Sequence, residues 1–179
     1  MNQVVLLGTA HSIQRNIELT TFKNMLKEEC WKYKVKAIAE ELNEVDSVAS
    51  RLAAELNIGY LNAEPNDNEC VERDIQIDCR FDLIKKYGEK YRQIKIWPIV
   101  PTKDNLPTEV WEEYDKRTTK SYRMRELVWL EKITNFNRWP LLFICGADHF
   151  LKFSELLEDS EYQVIKSHQD WAPTNQYKG

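Results

Sequence analysis

The sequence predicts an α/β domain, a mainly parallel sheet with helices on both faces. Three observations carry that expectation. Short apolar runs rich in β-branched residues recur along the chain and are stopped by glycine or polar residues, as buried parallel strands are. Between them lie stretches whose apolar residues recur at spacings of three and four, the mark of a helix with one buried face. The first 63 residues repeat strand, helix, strand, helix, strand, which favours right-handed crossovers between parallel neighbours.

Taken in order, residues 4–7 form the first strand, ended by Gly8-Thr9. Residues 19–33 place Leu19, Phe22, Met25, Leu26 and Cys30 on one helical face, with Thr20 or Thr21 as capping residue. A second strand is expected over 36–42, a helix over 45–56 with Val45, Val48, Leu52 and Leu56 aligned, and a third strand over 58–63. Residues 70–91 read as one helix or a helix plus loop, and the proline-bearing stretch 94–101 as an extended edge or surface segment. From Pro107 to about Phe136 helical spacing returns, as one long helix or two with a break near Thr118-Thr119. Leu141 to Cys145 is the most apolar strand, followed by a helix over 150–157 and a last strand over 162–166. The whole reads as one domain, 1–179, with a less regular insertion around 65–107.

Composition narrows the function. With 42% hydrophobic residues in 179, such a chain buries roughly 70% of its unfolded surface without staples. A net charge of -4 removes the usual electrostatic case for nucleic acid as a partner. No apolar run reaches a membrane span and no secretory leader is recognisable, so the expected setting is cytoplasmic. Cys30, Cys70, Cys79 and Cys145 include no C-x-x-C pair and read as reduced thiols.

The chemistry concentrates in histidine. Of three in the chain, His11 and His149 each stand three residues after a glycine that ends a predicted strand, in Gly8-Thr9-Ala10-His11 and Gly146-Ala147-Asp148-His149. Open α/β sheets bind ligands just beyond the carboxyl ends of their strands, so both imidazoles are delivered to that edge. Glu40 and Glu41 end the second strand, and alternation sends one carboxylate to each face, so either one joins the histidines. Two histidines and a carboxylate are a ligand set for a catalytic zinc, manganese, iron or cobalt ion. Asp148 is an alternative ligand, an orienting acceptor or a helix cap. His168 follows the last strand and is read as a solvated tail residue or a third visitor to the edge. Arg125 could clamp a substrate oxygen pair, while Arg123 and Glu126 read as solvated helix surface.

Four short pieces together resemble the TraB/PrgY/Tiki family, relatives of ChaN and the erythromycin-esterase-like folds. They are Leu7-Gly8-Thr9-Ala10-His11, Glu41-Leu42-Asn43 with Arg51 a helix later, Arg125-Glu126-Leu127-Val128-Trp129, and Gly146-Ala147-Asp148-His149 with the helix after it. The resemblance implies a divalent-metal site of His11, Glu41 and His149, and a metal-dependent hydrolase acting on a peptide or another amide or ester. In that reading a metal-bound water is the nucleophile, Glu40 or Asp148 moves the proton, and Arg125 steadies developing negative charge. Two rivals stand beside it: a non-catalytic protein that binds a peptide or small molecule at the same edge, and a nucleotide phosphoesterase.

Overall fold

The computed structural model describes residues 2–42, 44, 46–88 and 101–173. The chain divides into two compact units, Met1–Pro65 with Glu126–Gly179, and Asn66–Arg125.

The first unit is built on five parallel strands: β1 (Gln3–Thr9), β2 (Ala37–Glu40), β3 (Gly59–Asn62), β4 (Leu141–Gly146) and β5 (Gln163–Trp171). Their order across the sheet is β3-β2-β4-β1-β5, with every adjacent pair parallel. The helices of this unit are α1 (His11–Arg15), α2 (Thr20–Lys32), α3 (Val48–Glu55), the part of α6 (Thr108–Phe136) from Glu126 onward, and α7 (Phe150–Asp159). The second unit holds α4 (Asp67–Glu72), α5 (Arg80–Tyr87) and α6 up to Arg125.

Side-chain alternation sorts the sheet into two cores. Val4, Leu6, Ala37, Ala39, Leu141, Phe143 and Cys145 face Trp129 and Ile133 of α6 and Phe150, Phe153 and Leu157 of α7. Val5, Leu7, Ile38, Leu142 and Ile144 face Phe22 and Leu26 of α2 and Val48, Leu52 and Ala53 of α3. Both faces of the central strands are therefore apolar, which is why β1 and β4 read as unbroken hydrophobic runs. No helix among the described residues is long and apolar enough to cross a membrane.

Several local expectations change. The N-cap of α2 is Leu19, with no side-chain cap, and Thr20 is already helical. The start of α3 is set by Ser47, whose hydroxyl accepts from the Ser50 amide while Ser50 Oγ accepts from the Ser47 amide, a reciprocal cap worth about 1 kcal/mol. Of the stretch 70–91, expected as one helix or a helix plus loop, residues 70–88 hold the end of α4, a connecting loop and all of α5. Helix α6 runs through Thr118-Thr119 without a break. Strand β5 reaches Trp171 instead of ending at residue 166, with two register shifts against β1. Those shifts bring Gln169 O so close to Gly8 that a Cβ there would lie 2.0 Å away, so only glycine lets the two strands pair here. Most of the 94–101 segment lies outside the described residues.

The second unit buries Ile75, Leu83, Ile84, Leu106 and Val110 and carries ion pairs outside them. Lys120 Nζ donates to Asp74 at 2.9 Å, and Arg117 bonds Glu113 at 2.5 Å one helical turn away. Tyr87 also donates to Glu113, whose carboxyl is held down at about 2, first by Lys86 and then by Tyr87.

Candidate active site at the carboxyl edge of the sheet

Three crossovers deliver the site residues to one place. Strand β1 ends at Thr9 and the chain turns at Ala10 into α1, which begins with His11. Strand β4 ends at Gly146 and passes into a 3-10 turn, Ala147–His149. Because β1 and β4 are direct neighbours, with Thr9 opposite Gly146, the two Gly-x-x-His segments emerge side by side. Strand β2 lies on the other side of β4, and the Glu41 amide extends their ladder by donating to Ile144 O at 3.0 Å.

At this edge the polar side chains form a row. His11 Nε2 lies 2.6 Å from Glu41 Oε1, and His149 Nε2 stands 3.8 Å from Glu41 Oε2. On its other side His149 Nδ1 meets Glu126 Oε1 at 2.8 Å. The Glu41 side chain is fully buried, His149 and Glu126 nearly so, whereas the His11 side chain is 41% exposed. The row thus opens to solvent through His11. Gly146 faces its middle: a Cβ at that position would sit 3.3 Å from Glu41 Oε1, 3.4 Å from His11 Nε2 and 3.7 Å from the His149 ring. The backbone there, at φ -60 and ψ 143, suits any residue, so the need for glycine comes from what surrounds it.

Trp129 supports the far end. Its indole packs edge-on against the His149 ring with centroids 4.8 Å apart, and its N–H reaches Glu64 Oε2 at 3.2 Å. Together the Nδ1–Glu126 bond and this ring contact fix the plane of the His149 imidazole and present Nε2 toward Glu41. Beneath them Cys145 is wholly buried, and its thiol is driven far above the ordinary range, first by burial and then by the negative field of Glu41 and Glu126.

The remaining expected residues have distinct places. Alternation turns Glu40 to the opposite face of β2, where its Oε1 accepts from Tyr60 at 2.6 Å and from the Ser47 hydroxyl. Burial first of all raises its carboxyl above the usual range, against the two hydrogen bonds. Asp148 is exposed in the 3-10 turn. It is not the cap of α7, whose N-cap is His149. Arg125 closes the second unit, buried, with its guanidinium 6.0 Å from the centre of the Tyr122 ring. His168 pairs in β5 opposite Leu7, inside a strand and not in a tail. Glu126, expected on the solvated surface, is instead 1% exposed and bonded to His149. The signal that could have found it is its spacing of three from Trp129, which places both on the buried stripe of α6.

Two imidazoles and a carboxylate are donor types that a divalent ion takes. Ligand atoms bound at 2.0 to 2.2 Å lie roughly 3.0 to 3.5 Å from one another. The observed separations of 2.6 Å and 3.8 Å along His11, Glu41 and His149 bracket that range. As the side chains stand, His11 and Glu41 bond each other directly, and among the described residues no group of three or more His, Cys, Asp or Glu side chains is placed to hold a metal ion. Glu126 behind His149 supplies the outer carboxylate that metal-binding imidazoles commonly have. No protein-family description, curated protein or solved structure matches the chain.

Proposed function

We propose that the carboxyl edge is the active site of a divalent-metal-dependent hydrolase acting on a peptide or other amide or ester bond. The observation that supports it best is the convergence of His11 Nε2, Glu41 Oε1 and the His149 ring on Gly146, with His149 Nδ1 already bonded to Glu126. His11, Glu41 and His149 would hold the ion. A bound divalent ion supplies a water of lowered pKa and polarises the scissile carbonyl.

The chain's own part follows from its geometry. With Glu126 as acceptor for an Nδ1 proton of His149, Nε2 would be the nitrogen that faces an ion. Trp129 and the Phe143–Phe153 pair behind it make the inner wall apolar, which strengthens charge interactions in front of it. Asp148, exposed two residues beyond Gly146, is better placed than the enclosed Glu40 to carry a proton to the leaving group.

The test is metal analysis of protein purified without chelator, followed by turnover of a peptide panel with the metal restored. About one equivalent of metal and metal-dependent cleavage are expected. Absence of metal together with absence of any binding of added manganese or zinc would overturn the reading.

A further inference from the structure

Gln14 is fully buried on α1, and neither its Nε2 nor its Oε1 meets a hydrogen-bond partner among the described residues. A buried carboxamide with both ends unmatched costs stability, and folded proteins retain few such groups unless water or a ligand completes them. Its position gives the feature meaning. Gln14 follows His11 by three residues, so both side chains leave the same face of the same short helix. Helix α1 packs on α3, whose N-cap Ser47 bonds Glu40, and Glu40 Oε2 is a further buried atom without a partner.

We infer that Gln14 is a specificity-determining residue that reads an amide of the substrate beside His11, so that the natural substrate is a peptide or another amide. The inference rests on the hydrolase reading above for the reaction it serves. A carboxamide offers one donor and one acceptor side by side, and the group that answers both is another amide, through its C=O and N–H. An ester answers only the donor. A phosphate offers chiefly acceptor oxygens, and its negative charge is opposed by Glu40, Glu41 and Glu44 at the same edge. Access requires a small displacement of α1, a helix of five residues with no side-chain cap.

The experiment is an NMR titration of the 179-residue chain labelled with nitrogen-15, following the Gln14 side-chain amide, assigned by its loss in Gln14→Met. The probe is N-acetylalanine methylamide, with inorganic phosphate as comparison. Saturable movement of the Gln14 amide by the probe, at least tenfold weaker binding to Gln14→Met and Gln14→Glu, and no response to phosphate are expected. Thermal melting of Gln14→Met should match or exceed the parent, because an apolar group replaces an unmatched one. Equal probe affinity in parent and variants, or no probe binding at all, overturns the inference. So does a clear loss of melting temperature in Gln14→Met, which would mean that the amide finds its partners inside the fold. If the protein binds no metal yet the probe still moves Gln14, the hydrolase reading fails and the amide site stands.

Discussion

His149 Nδ1 lies 2.8 Å from Glu126 Oε1, both groups almost wholly buried, with Glu126 on α6 and His149 at the end of β4. The pair joins the helix that covers one face of the sheet to the strand whose carboxyl end carries the candidate site. It also decides which imidazole nitrogen of His149 faces Glu41.

Substituting Glu126→Gln tests that role. The amide keeps the shape but presents an NH2 or a weaker oxygen to Nδ1, so the preferred tautomer is no longer enforced. Metal affinity should fall about 10- to 100-fold, as loss of an outer-shell partner typically does, while the melting curve moves little. Titration calorimetry with zinc or manganese beside thermal melting checks both.

His11→Ala removes the exposed end of the row. The fold should persist, since β1, β4 and both cores are untouched, but Glu41 loses its bond and the protein should be destabilised by roughly 1 to 3 kcal/mol. Metal binding and turnover should disappear together. Retention of full metal and activity would make His11 a bystander, and outright unfolding would make it structural.

The two glycines before the histidines should answer differently to alanine. Gly146→Ala places a methyl at 3.3 to 3.4 Å from Glu41 Oε1 and His11 Nε2 on a backbone that accepts it, so site function should drop at least tenfold with a stability change under about 1 kcal/mol. Gly8→Ala drives a methyl into Gln169 O of β5 and should cost about 1 to 3 kcal/mol or more through displacement of that strand. Denaturant melts and metal titration of the two variants separate the effects.

Acid should weaken the first unit through Glu55. Lys23 first, then Lys27, hold its carboxyl down at about 2 from an ordinary 4.5. A carboxyl whose folded value is depressed contributes stability above its unfolded value and loses it as pH falls toward the folded one. The contribution is therefore complete above pH 4.5 and lost between 4.5 and about 2. Glu55→Gln should lower the melting temperature slightly at pH 6 and by much less at pH 2, and added salt should shrink the difference because the group is exposed. Melting the parent and Glu55→Gln side by side at the two pH values measures it.

The sequence by itself determined the strands, their parallel pairing and the arrival of His11 and His149 at one edge, because apolar runs buried on both faces and helical spacing are local patterns. It also limited the carboxylate to Glu40 or Glu41, since a period of two always places neighbours on opposite faces. Which of them meets the histidines was decided only by tertiary structure. Ser47 and Tyr60 hold Glu40 on the α3 face, while Glu41 continues the ladder beside β4 and reaches His11. Glu126 shows the same limit more strongly, because its spacing of three from Trp129 marks the buried stripe of α6 but not the partner it meets there. Its meaning came from a histidine 23 residues further along the chain. Gly8 and Gly146 look alike in sequence, yet one is required by the backbone of β5 and the other by the side chains of the site. Local pattern sets where the backbone goes. Which side chains share a buried space depends on contacts between segments far apart in the chain, and those exist only once the sheet and its covering helices have assembled.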